Sequence, residues 1–184
     1  MLGWIVKRRL GAFARSFNYD TSYLSELYDA SPRAFWKFSK VATLSQHRED
    51  VPREAWYAAR IVATLAEDCG PCAQLVVDMA AHAGVSAPAL RAIVNQDERA
   101  MPPDAALGYS FAKAVLARDL AESDRLRTQV ETRWGPRALV SLALAIASSR
   151  VFPAIKYALG HGRACSKIRV EGVDVPVASQ AKHA

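Results

Sequence analysis

The sequence predicts an all-α protein built as a bundle of helices, and three observations carry that expectation. Apolar residues recur at helical spacing in almost every long segment, whereas strand-like alternation is confined to one short stretch near the C-terminus. Proline and glycine fall where helices would start and stop. With 184 residues, 51% of them hydrophobic and 23% charged, the chain has enough apolar surface to offset the entropy of ordering one globular domain.

The elements begin with a basic stretch. Lys7, Arg8, Arg9 and Arg15 precede the first acid, Asp20, and are interleaved with Leu2, Trp4, Ile5, Val6, Leu10, Phe13 and Phe17. Residues 1–20 therefore read as a basic amphipathic segment. Ser22 or Thr21 caps a short helix carrying Leu24, Leu27 and Tyr28. Ser31-Pro32 supplies the N-cap and first-turn proline of a helix with Phe35, Phe38, Val41 and Leu44, closed by the charged stretch His47 to Asp50. Pro52 opens a helix with Trp56, Ala59, Val62 or Ala63, and Ala66 on one stripe, ending at Glu67-Asp68. The next runs from Cys69-Gly70-Pro71-Cys72 to Gly84, which is placed for a left-handed C-cap.

Ser86 and Pro88 start a short helix through Leu90, Ile93 and Val94, and Asn95 to Asp104 reads as a surface crossing. Pro103-Asp104 begins a helix through Phe111, Ala112, Val115 and Leu116; Glu122 to Arg133 forms a more charged one with Leu126 and Val130. After the break at Trp134-Gly135-Pro136, Arg137 to Leu159 is apolar nearly all round. That pattern belongs to a central helix buried in a bundle or at a subunit contact, which Pro153 is expected to kink or split. The main helical domain spans 21–160. Residues 161–184 read as an irregular, mobile tail with one strand-like stretch, Ile168 to Val177.

Lys plus Arg number 24 against 18 Asp plus Glu, a net charge of +6, but the excess is spread along the chain, which argues against nucleic-acid binding. The best apolar run, Ala138 to Ala147, holds only about ten of the ~18 residues expected of a membrane span. At the N-terminus the apolar part, Leu2 to Val6, comes before the charges and is too short for a signal peptide. A cytoplasmic location follows as the expectation. The basic helix is expected to dock on the body of the protein or on a sister subunit, rather than to contact an anionic membrane through residues 1–17. Three cysteines, an odd count in a domain of this size, argue against a secreted disulfide framework.

Cys69 and Cys72 form C-x-x-C and are the chemical signal of the chain. At a helix start two such residues share a face, within the Cα separation of ~4.4–6.8 Å that a disulfide tolerates. Backbone N–H groups and the helix dipole favour thiolate there, while the neighbouring carboxylates of Glu67 and Asp68 oppose it. Glu67 is the preferred proton acceptor, in competition with an ordinary role as a solvated carboxylate at a helix end. The same four residues mark the active site of thioredoxins. Here, however, a helical alanine-rich segment precedes them, and the strand and βαβ frame that a thioredoxin needs are missing.

A helix, then C-x-x-C at the start of the next helix, then an alanine-rich stretch closed by glycine resembles the carboxymuconolactone decarboxylase and alkylhydroperoxidase D superfamily. The resemblance runs from about Ala55 through Gly160. It includes EDCGPCAQLVVDMAAHAG, the stretch Ser86-Ala87-Pro88-Ala89-Leu90, and WGPRALVSLALAIASSRVFPAIKYALG. It implies an all-helical fold assembled as a homo-oligomer, trimer or hexamer. It also implies a thiol-disulfide cycle that reduces a hydroperoxide or a protein disulfide with electrons from a partner protein and with no cofactor. By position, Cys72 would attack and Cys69 would resolve. The family's relay places a histidine four residues after the second cysteine and a glutamate twelve before the first; this chain has Val76 and Tyr57 there. His82 does not substitute, because ten residues along a helix from Cys72 is ~15 Å, and it reads as a surface or interface residue.

Two further readings compete with the redox enzyme. One is a helical oligomerisation or scaffold domain whose cysteines are idle, motivated by the departures at Val76 and Tyr57. The other is a zinc site joining Cys69 and Cys72 to His161 and Cys165, a Cys3His set whose halves lie far apart in sequence. Trp36, Trp56, Trp134, Tyr109 and Phe111 are expected in the core rather than around a site.

Overall fold

The computed structural model describes residues 2–164 and 167–177. Among them the chain forms nine helices followed by one small hairpin, so the all-α expectation holds. The helices are α1 (Leu2–Phe17), α2 (Ser22–Ala30), α3 (Pro32–Leu44), α4 (Arg53–Leu65), α5 (Gly70–His82), α6 (Ala87–Val94), α7 (Pro103–Ala117), α8 (Leu120–Trp134) and α9 (Pro136–Ala158).

The starts and stops follow local chemistry. Ser31 accepts a hydrogen bond from the Ala34 amide (3.2 Å), and Asp119 accepts one from the Glu122 amide (3.1 Å), each satisfying an N-terminal N–H that has no intrahelical partner. At the end of α5, Gly84 takes φ +88°. Its amide donates to the Ala81 carbonyl (2.9 Å) while the Val85 amide donates to Ala80 (3.0 Å), the two bonds of a Schellman ending. At α2 the expectation fails in detail. Thr21 stands at the N-cap without a side-chain cap bond, and Ser22 instead donates its backbone N–H to Asp20 (2.9 Å).

Two larger expectations are corrected. The central helix is α4, not α9. Ten of its residues are buried, Ala55, Trp56 and the run from Ala58 to Leu65, because α7 covers one side most extensively while α9, α5 and α6 cover others. The single stripe expected for α4 is one part of a surface buried nearly all round, and its small alanines let neighbours approach closely. A Cβ added at Gly108 of α7 would overlap the Ala55 carbonyl. Helix α9, by contrast, leaves Val140, Val151 and Tyr157 exposed. It runs unbroken through Pro153, which is itself buried, so packing holds the helix across the missing N–H. By length and composition α9 is also apolar enough to cross a membrane, which counting uninterrupted apolar runs overlooks. Here it packs against α4, α8 and α3.

The second correction concerns the tail. Instead of an irregular segment, β1 (Lys167–Val170) and β2 (Val173–Pro176) pair antiparallel, with Lys167 opposite Pro176 and Val170 opposite Val173. Glu171 and Gly172 make the turn with φ of 48° and 80°, the positive angles that a two-residue hairpin loop requires. Ile168, Val170 and Val175 belong to the main core, and the hairpin packs on α5 and α6. On a smaller scale, Leu44 of the α3 stripe is exposed at 49%, while Phe35 is buried.

Candidate redox site

Helix α4 ends in a tight turn at Ala66–Asp68, where the Glu67 and Asp68 amides donate to Thr64 (3.2 Å) and Leu65 (3.0 Å). Asp68 adopts φ +51°, and the Tyr157 hydroxyl of α9 donates to its carbonyl (2.8 Å). This turn delivers Cys69 to the N-cap of α5 and Cys72 to its first turn. The two are joined as a disulfide with Cα atoms 5.3 Å apart, inside the separation the sequence spacing predicts. The Gly70 amide donates to the Arg163 carbonyl (3.0 Å), so one N–H of the helix start is already occupied.

The two sulfur-bearing residues have different surroundings. Cys69 is fully buried. Cys72, 4% exposed, borders a cavity of about 770 Å³ enclosed chiefly by α1, α4 and α5. Leu10, Phe13, Phe17, Leu75, Val76 and Met79 make its apolar wall. Val76 and Tyr57 both line this cavity together with Cys72.

The polar group beside Cys72 is a tyrosine pair. The Tyr19 hydroxyl lies 4.0 Å from Cys72 Sγ and donates to the Tyr23 hydroxyl at 3.4 Å. Lys156 of α9, only 1% exposed, places its ammonium 4.5 Å from the Tyr19 ring centroid and 5.1 Å from that of Tyr23, a cation–π arrangement. Burial lowers the Lys156 pKa and raises those of both tyrosines, because a low-dielectric site disfavours whichever form is charged. Both phenols therefore keep their protons at neutral pH and can donate.

Glu67 is not among the residues that line the cavity; Arg150 donates to its carboxylate in an ion pair. His82 is exposed and touches Phe17 edge-on at 5.9 Å between ring centroids, as expected of a surface residue. His161 is engaged at both ring nitrogens, with Ser22 Oγ at 3.1 Å and Glu26 Oε2 at 2.8 Å. Cys165 lies outside the described residues, and among those described no cluster of three His, Cys, Asp or Glu side chains is placed to hold a metal ion. Tyr109 and Phe111 are core residues and Trp134 packs against that core. Trp36 is exposed at 46%, and Trp56 lines the cavity.

Sequence reasoning missed Tyr19, Tyr23, Lys156 and Arg60. Arg60 sits in α4 beside the cavity, 8% exposed, with its guanidinium carbon 4.5 Å from the Trp56 ring centroid and 5.7 Å from that of Tyr57. A charge falling on the helical spacing of an otherwise apolar segment was the available signal. No protein family, curated protein or solved structure matches this chain.

Proposed function

We propose that the protein is a thiol-disulfide redox enzyme of the alkylhydroperoxidase D-like type, with Cys72 as the attacking and Cys69 as the resolving thiol. The observation that carries this reading is the asymmetry of the pair: Cys72 borders the cavity while Cys69, bonded to it, is sealed.

The cycle starts from the dithiol. The Cys72 thiolate attacks the terminal oxygen of a hydroperoxide; the O–O bond breaks, a sulfenic acid forms on Cys72, and the departing alkoxide takes a proton to become an alcohol. The Tyr19 hydroxyl, 4.0 Å from the sulfur, is the nearby donor for that proton once it turns from Tyr23, and it regains a proton from water; the Lys156 ammonium lies against its ring. The Cys69 thiolate then attacks the Cys72 sulfur, forming the disulfide and releasing water once the departing oxygen is protonated. A dithiol reductant, expected to be a partner protein, restores both thiols by exchange. Each turn consumes two thiol hydrogens and one hydroperoxide and yields one alcohol and one water.

The test is steady-state consumption of tert-butyl hydroperoxide with dithiothreitol as electron source. The native chain is expected to turn over, and Cys72→Ser to be inactive. Cys69→Ser, reduced and then freed of dithiothreitol, is expected to react once with the hydroperoxide and stall as a sulfenic acid that a dimedone probe captures. Native consumption no faster than that of Cys72→Ser would overturn the reading in favour of a helical scaffold with idle cysteines.

A further inference from the structure

Four arginines, Arg9, Arg48, Arg53 and Arg60, border the large cavity, and no aspartate or glutamate does. None of the four takes part in an ion pair among the described residues. Arg9, Arg48 and Arg53 stand exposed at the rim, whereas Arg60 is buried. Among the described residues its Nε has no hydrogen-bond partner, and neither does the Ser149 hydroxyl that lines the same cavity. Buried polar atoms are nearly always satisfied, and a buried cation met only by the faces of Trp56 and Tyr57 still lacks an anionic partner, which is costly. Both facts point to a ligand that supplies the missing acceptor.

We infer that this cavity binds a long-chain carboxylate, its head on the Arg60 guanidinium and its chain along the apolar wall of α1 and α5. Charge and shape argue together. A guanidinium presents its donors in a planar fork that matches a carboxylate, and the rim arginines steer an anion inward. The wall from Leu10 and Phe13 to Leu75 and Met79 offers nothing to a small ion but suits a hydrocarbon chain. The volume, about 770 Å³, falls within the range of small-molecule sites. One buried cation balances one negative charge, which favours a carboxylate over a dianionic phosphate head. The inference needs only the cavity and Arg60 and stands whether or not the sulfur pair turns over. Joined to the redox reading, it makes the substrate a long-chain carboxylate that carries a hydroperoxide group on its chain, at Cys72.

Calorimetric titration of the full chain, kept as the disulfide, with dodecanoate, dodecanol and dodecyl phosphate below their aggregation concentrations tests the assignment. Dodecanoate is expected to bind at one site per chain, at least about tenfold tighter than dodecanol, the scale of a charge-assisted hydrogen bond. Arg60→Met should abolish that preference while dodecanol binding persists. Arg60→Lys, which keeps the charge but not the fork, should fall between the two and serves if the methionine variant does not fold. Equal binding of dodecanoate and dodecanol by the native chain, tighter binding of dodecyl phosphate, or no saturable dodecanoate binding would each overturn the proposal.

Discussion

At Tyr19 and Arg60 the chemistry depends on where single polar atoms sit relative to buried surface. Tyr19 brings a protonated hydroxyl to Cys72 from another helix connection. Tyr19→Phe is expected to slow peroxide turnover on the order of 10²-fold, the lower end of what a positioned proton donor contributes, and to change the pH dependence of kcat, while the thiol pair still forms its disulfide. Arg60 carries a stability cost that function must justify. Burial draws its pKa down to about 10, which corresponds to roughly 3 kcal/mol against the charged form at neutral pH, only partly offset by ring contacts worth about 1–2 kcal/mol. Arg60→Met should therefore raise stability by about 1 kcal/mol or more, read as a higher urea midpoint at unchanged slope. The sign in pH follows. Because the folded-state pKa is depressed to about 10, the unfolded chain binds more protons above about pH 10, so native stability rises with pH there and the Met variant lacks the rise. Neither residue was legible in the sequence as a site member. Tyr19 meets Cys72 only through the packing of the segment joining α1 and α2, and no local pattern encodes that contact.

Helices reveal themselves through caps, prolines and periodicity, and the boundaries of α3, α5 and α6 followed from Ser31-Pro32, Gly84 and Ser86 for that reason. Which helix is central did not follow. Alanine is neutral in apolar patterning, so the alanines that let α4 be surrounded look weaker than the leucines and valines of α9. Gly108→Ala tests the close approach directly: its methyl has no room beneath the Ala55 carbonyl, and a loss of about 3 kcal/mol is expected in chemical unfolding, at the top of the usual overpacking range. The hairpin was half legible. Its alternation is visible, but Glu171-Gly172 does not announce a turn, because glutamate seldom takes positive φ. Gln74 of α5 exchanges two hydrogen bonds with the Arg169 backbone, 2.7 and 2.9 Å, so β1 is fastened to the helix that carries Cys72. Ile168→Ala, at a fully buried position, is expected to cost about 2–5 kcal/mol and to increase hydrogen exchange in the first turns of α5.

For the molecule as a whole, the arrangement couples three things: a sulfur pair at a helix start, a buried cation and an apolar cavity closed by a basic N-terminal helix. Those residues are scattered through the sequence, and tertiary packing gathers them onto one cavity. The C-x-x-C pair alone announced chemistry from the sequence, and Glu67, the base expected beside it, forms an ion pair with Arg150. The central claim is that the pair cycles as a unit. The most direct test mixes the fully reduced chain with one equivalent of tert-butyl hydroperoxide and counts free thiols on rapid quenching. The account predicts that two of the three thiols disappear together, that peptide mapping finds them as a Cys69–Cys72 disulfide, and that Cys72→Ser loses neither Cys69 nor Cys165 on that timescale. Slow loss at the same rate in the native chain and the variant would contradict it.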